Sequence, residues 1–210
     1  NMGGNKGINL YQMNPDGTDN QLMFGWHSHQ VDFDEQSELI GFMKLQHLPN
    51  GDILVLLSSQ DDMSYQKRPV VINIEEFTDN QQATAQSGAS DNAINDLEMS
   101  FEFNFNFSDL LSPSGRLTHL YPLPDNSQRY LLSWDLCRVV FEEHIRACGQ
   151  LTDEQLLDQT LELADPLYEL WLLNDADGTQ QLVADSEAGK VITEALVMQP
   201  SSQPKTFIGD

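Results

Sequence analysis

The sequence predicts an all-β fold of β-propeller-like repeats, four-stranded antiparallel blades forming part of a propeller, with one short helical insertion. Three observations carry this. A strand-turn-strand unit occurs twice, as LYQMNPDGTDNQLMF at residues 10–24 and YELWLLNDADGTQQLV at 168–183, each with an Asp-Gly-Thr turn between two apolar runs. A second hairpin is also doubled, as LQHLPNGDILVLLSS at 45–59 and YPLPDNSQRYLLSW at 121–134. In MSFEFNFNF, residues 99–107, strict alternation puts Phe101, Phe103, Phe105 and Phe107 on one face, which marks a strand and a core stripe. Hairpins that recur at spacings of about 40 to 75 residues fit propeller blades better than a sandwich. A propeller needs at least about four blades, and only two full and two partial ones are legible here.

The elements follow in order within a single domain or segment, 1–210. Residues 8–25 form a blade end, because Asp16-Gly17 supplies positive φ between two β-prone runs. A polar connector with Trp26 leads to a blade at 38–78. In that blade Pro49-Asn50-Gly51 turns the chain, and residues 53–58 are apolar enough to be buried on both faces. Residues 79–96, rich in Gln, Asn, Ser and Ala, read as a flexible insertion that cannot bury enough surface to offset ordering. The next blade occupies 99–184 and carries an insertion at 142–163, the one credible helical stretch, with Thr152 and Gln155 spaced as a capping pair. Pro166 stops that helix, and residues 190–199 start a further blade with the strand VITEALVM.

The charge balance limits the partners. With 33 acidic against 10 basic residues, net -23, the chain repels nucleic acid and anionic lipid surfaces. Residues 69–115 hold eight acids and residues 147–189 hold ten, with no Lys or Arg in either stretch, so two acidic surfaces suited to cations or basic partners are expected. No run approaches the roughly 20 apolar residues of a spanning helix, so no membrane insertion is expected. The opening NMGGNKG lacks the apolar core of a signal peptide, and a strand beginning so soon after it suits an excised or processed segment.

YQMNPDGTDNQL resembles the blade motif of the TolB-type, WD40-like (PD40) propeller repeats. The matching positions are Tyr11, Met13, Asn14, Asp16, Gly17 and Thr18, with a second match at Leu172, Asn174, Asp177, Gly178 and Thr179. GWHSHQ, LQHLPNGDILVLLS, SPSGRLTHLYPLPDNSQRYLLSWDLCRV, ELWLLNDADGTQQLV and VITEALVMQP are similar to the middle-domain region of proteins related to the hydrazine synthase alpha subunit. The resemblance implies an exported propeller, periplasmic or secreted, from a larger protein and used for binding or assembly. Haem-bearing members attach c-type haem through Cys-x-x-Cys-His, which this chain lacks.

Cys137 and Cys148 are the only cysteines. In an oxidising compartment they close a small loop worth roughly 2 to 4 kcal/mol; otherwise they are two buried thiols, or a metal or redox pair, with His144 between them as a surface residue. In Trp26-His27-Ser28-His29, an extended backbone projects His27 and His29 to one side, and Asp32 or Asp34 adds an oxygen, a set suited to zinc or another divalent ion. The competing reading has hydrogen-bonded loop histidines with Trp26 packed between blades. A calcium reading of Asn14, Asp16 and Asp19 fails the spacing of a calcium loop, so Asp16 and Asp177 are expected to accept hydrogen bonds within their own turns. Asp61 and Asp62 either face a central channel or solvate a loop.

No nucleophile elbow, phosphate loop or His-Glu-x-x-His is present, so no catalytic residue is assigned. The function expected is a non-catalytic protein-binding or assembly module without a required cofactor, its partner a protein or other domains of a larger chain. The alternative is a metal-dependent or haem-adjacent redox enzyme subunit that uses His27, His29 and an aspartate.

Overall fold

The computed structural model describes residues 9–33, 36–48, 50–59, 67–85, 92–100, 111–156, 158, 160–187 and 189–198. The phenylalanine stripe from Phe101 to Phe107, Asp34, and the pair Asp61 and Asp62 lie outside the described residues. The fold is all-β. Its strands are β1 (Leu10–Gln12), β2 (Gln21–Phe24), β3 (Gln30–Phe33), β4 (Gln36–His47), β5 (Ile53–Ser59), β6 (Lys67–Ile72), β7 (Phe77–Asp79) and β8 (Gln82–Ala83). They continue with β9 (Ile94–Asp96), β10 (Arg116–Pro122), β11 (Arg129–Asp135), β12 (Arg138–Phe141), β13 (His144–Ala147), β14 (Glu162–Leu163), β15 (Glu169–Asn174) and β16 (Thr179–Ala184).

Two large antiparallel sheets dominate, a five-stranded one in the order β3-β4-β5-β6-β9 and a four-stranded one in the order β10-β11-β15-β16. Strand β5 shows why they stack. Ile53, Val55 and Leu57 point to a core shared with Leu10 and Phe24 of the β1-β2 hairpin, while Leu54 and Leu56 point to a core with Leu117, Leu120, Leu132, Trp134 and Leu173 of the four-stranded sheet. Period-two alternation thus divides one apolar run between two interfaces, as expected for a strand buried on both faces. The outcome is a propeller-like succession of stacked sheets: hairpin, five-stranded sheet, four-stranded sheet. Full burial of each such leucine is worth about 1.5–3 kcal/mol.

The turn at Ser112 to Gly115 closes with a 2.8 Å bond from the Gly115 amide to the Ser112 carbonyl. Gly115 sits at φ +83, and a Cβ there would lie 2.1 Å from the Asp135 carbonyl oxygen, so only glycine lets β11 come this close.

Three segments differ from the sequence expectation. The described part of 79–96, expected to be a flexible insertion, ends β7 and supplies β8 and the outer strand β9 of the first sheet. The reason is that Ala93 and Ile94 bury against the first core, and the polar side chains of Asp79 and Asn80 bond inward. In the 142–163 insertion the helix is confined to α1 (Asp153–Leu156), preceded by a 3-10 turn (Cys148–Gln150). The ends of the insertion, β13 and β14, flank β12 of the preceding segment in the three-stranded sheet β13-β12-β14. The capping pair does form: the Gln155 amide donates to Thr152 Oγ1 at 3.3 Å, and the Thr152 amide to Gln155 Oε1 at 2.9 Å.

Residues 190–198, expected as a blade-starting strand, form a strap across the second sheet with no strand pairing among the described residues. Their carbonyls meet side chains on the sheet face instead of a strand edge: Ser133 Oγ donates to Ile192, Thr118 Oγ1 to Thr193 at 3.5 Å, and His119 Nε2 to Ala195 at 2.9 Å. Burial lowers the pKa of His119, whose Nδ1 has no hydrogen-bond partner among the described residues.

Candidate functional site

The connector that follows β2 is shaped from beneath by Phe42. Gly25, at φ +106, has no Cβ, and one placed there would come within 2.8 Å of the Phe42 ring. The chain therefore turns tightly over the aromatic core and presents His27 and Ser28 toward the β7-β8 turn. Asp79 receives them: its Oδ1 accepts the His27 amide and the Ser28 hydroxyl, both at 2.9 Å. Ser28 Oγ in turn accepts the Asn80 amide at 2.7 Å, and Asn80 Oδ1 accepts the Ile94 amide at 2.9 Å. Ser28 is 2% exposed and Asp79 8%, so the bond between them is shielded from water; with the part-buried bonds around it, it ties connector, turn and β9 together.

Above it lies a polar pocket of about 270 Å³ lined by His27, Ser28, Asp79, Asn80, Gln81 and Gln82. With Oδ1 of Asp79 engaged by the connector, Oδ2 accepts no hydrogen bond among the described residues. An exposed imidazole, a carboxylate oxygen and the Gln side chains thus share one recess. Such a wall suits a small polar group that brings hydrogen-bond donors, and it offers little to an apolar ligand.

The two histidines are not brought together. His29 is buried at 7% exposure against Phe42, with ring centroids 5.3 Å apart. Its Nδ1 donates to the Ile40 carbonyl at 2.8 Å, and its Nε2 lies in hydrogen-bonding range of Asn9 Oδ1. Both ring nitrogens are therefore engaged, while His27 faces the pocket. Asp32 lies on β3, paired with Ser37 of β4, and its side chain is outside the described residues. Among the described residues no group of three or more His, Cys, Asp or Glu side chains is placed to hold a metal ion. Trp26 is half exposed at 50%, not packed between blades.

Cys137 and Cys148 are joined in a disulfide at the foot of the insertion, beside a 3.0 Å bond from the Cys148 amide to the Cys137 carbonyl. His144 is exposed, with Nδ1 bonded to the Glu142 carbonyl. Asp16 and Asp177 act within their turns: each Oδ1 accepts the amide and hydroxyl of the threonine two residues on, at 2.9 and 2.7 Å for Thr18 and at 3.0 and 2.7 Å for Thr179. These bonds lower both carboxyl pKa values, the Thr hydroxyl contributing most. The same Asp-x-Ser/Thr geometry recurs at Asp125 with Ser127 and at Asp158 with Thr160.

Asp79 and Asn80 carry no sign in the sequence, since the Ser28 and Ile94 groups they bond lie 51 and 14 positions away. Asp135 was equally silent. It is 1% exposed, and takes Arg116 Nε at 2.8 Å on Oδ2, and Arg138 Nη2 at 3.2 Å with the Leu167 amide at 3.1 Å on Oδ1. Arg138 also reaches the Asp165 carbonyl at 2.8 Å, and Arg116 Nη2 of β10 the Ala164 carbonyl at 3.2 Å, which ties the chain leaving the insertion to the second sheet.

No protein-family model matches the chain, and neither the curated proteins nor the solved structures provide a match.

Proposed function

We propose that this chain is a binding or assembly module of an exported, propeller-like protein, engaging its partner through the pocket between the connector and the β7-β8 turn. The observation that carries this reading is the Asp79 node. A buried carboxylate holds two loops from distant parts of the chain in one geometry, and Asp79 itself lines the pocket between them. Recognition loops on a rigid β scaffold are the ordinary way such folds bind. The Cys137–Cys148 disulfide supports an oxidising location, periplasmic or extracellular. Among the described residues no helix is long and apolar enough to cross a membrane. The likeness of residues 10–24 and 168–183 to PD40 repeats supports the same class of protein.

Selection of displayed peptides against the wild-type chain, with counter-selection on Gln82→Trp, tests the reading. Gln82 is exposed, so the tryptophan fills the pocket without disturbing the core. Enriched peptides that lose binding to Gln82→Trp support the module; no enrichment, or peptides indifferent to the substitution, removes the pocket as its recognition site.

A further inference from the structure

Strand β16 ends the order of the four-stranded sheet and pairs only with β15, so the backbone groups on its far side face no strand among the described residues. Five of its six residues are exposed, with Leu182 at 42% and Val183 at 50%. An open strand edge is a template for another strand, and proteins ordinarily blunt it with lysine, other charges or proline. The outer strands of the other sheets of three or more strands do carry charge: β3 holds Asp32, β9 ends in Asp96, held by Arg68, β13 contains His144 and Arg146, and β14 begins with Glu162, while β10, across the same sheet as β16, begins with Arg116. In contrast β16 reads TQQLVA, with no charge and no proline. Its one irregularity is the extra residue Val183, where Leu170 faces Ala184 and Trp171 faces Leu182, and this leaves residues 179–182 in regular register.

Acids bracket this uncharged stretch. Asp175 and Asp177 lie in the turn before it, Asp185 and Glu187 follow it, and Lys190 pairs with Glu187. A second copy of the chain placed along the edge would set acids against acids, between two bodies that each carry net -23. The complement is an extended segment with an uncharged, β-prone centre and a lysine or arginine at each end. We propose that the open edge of β16 binds such a basic peptide segment by strand addition, an inference that rests on the binding-module reading and names the class of its partner. Main-chain hydrogen bonds supply the affinity, and the flanking acids select for basic ends.

The test uses a fluorescent peptide with lysine at both ends and alternating valine and threonine between them, titrated into the whole chain and read by anisotropy. Saturable binding that weakens with salt is expected. Methylating alternate peptide amides in one phase abolishes it, and methylating those in the other phase leaves it intact, because an added strand turns only every second amide toward β16. The double substitution Asp185→Asn with Glu187→Gln lowers affinity by roughly 3- to 10-fold, as expected for two exposed charges. Equal binding of both methylated peptides would reduce the effect to charge adsorption and overturn the proposal. So would a dimer in sedimentation that Leu182→Lys dissociates, since the occupant would then be a second copy. Gln82→Trp leaves peptide binding at β16 unchanged. Pocket-dependent ligands without peptide binding would therefore sink the strand-addition proposal alone, and peptide binding without pocket ligands would sink the pocket alone.

Discussion

Ser28 and Asp79 stand 51 positions apart in the chain and 2.9 Å apart at Oγ and Oδ1, in a bond sealed from water. Ser28 works in both directions there, donating to Asp79 and accepting the Asn80 amide at 2.7 Å. Removing its hydroxyl leaves a buried amide without an acceptor and a carboxylate without one donor. Ser28→Ala is expected to lower unfolding stability by about 1–3 kcal/mol in urea melts. A loss within error of zero would mean that water or a neighbouring group takes over the hydroxyl's role.

Asp135 is held by two guanidinium groups and an amide while almost wholly buried. Asp135→Ala abandons Arg116 and Arg138 near the core with no counter-ion, and is expected to cost about 3–5 kcal/mol. Thermal unfolding of Asp135→Ala, Arg116→Ala and the double variant checks this, since a shared interaction makes the double variant less damaged than the sum of the singles. Strict additivity would show that the groups act independently.

The disulfide closes a loop of sequence separation 11. Reduction is expected to lower stability by about 2–4 kcal/mol, with the insertion as the first part to become susceptible to protease. Denaturation with and without reductant, repeated on Cys137→Ser with Cys148→Ser, measures it. An unchanged midpoint would show that β12, β13 and β14 hold the insertion without the bond.

Asp125 supplies a pH signature. The Ser127 hydroxyl, then Arg129, lower its carboxyl from 3.8 to about 2. A folded pKa below the unfolded one contributes stability at pH above about 4, which is lost as pH falls through about 2. The turn between β10 and β11 is thus expected to stay intact at pH 4 and to loosen near pH 2, read from the Ser127 amide shift. Titration of that amide near pH 4 would contradict the bond. Asp16, Asp158 and Asp177 shift in the same direction through their own threonines.

The sequence by itself determined the two Asp-Gly-Thr hairpins, the β4-β5 and β10-β11 hairpins and the double burial of β5, because period-two alternation and Asp-Gly or Asn-Gly steps act over a few residues, but not β8, β9 or the β13-β12-β14 sheet. The Asp16 and Asp177 turns and the Thr152 to Gln155 cap were readable for the same reason: donor and acceptor lie within three positions. Tertiary structure alone decided the fate of polar residues whose partners are distant. Asp79 falls in a stretch expected to be a flexible insertion, and Asp135 gives no local signal; the first gains its role where the β7-β8 turn meets the connector, the second where Arg116 and Arg138 converge on it. His27 and His29 share a face only if their segment stays extended; Gly25 and the Phe42 ring bend it, burying one imidazole against the Ile40 carbonyl and leaving the other at the pocket. A short polar motif has many hydrogen-bonding outcomes of similar energy, and packing of remote apolar residues selects among them.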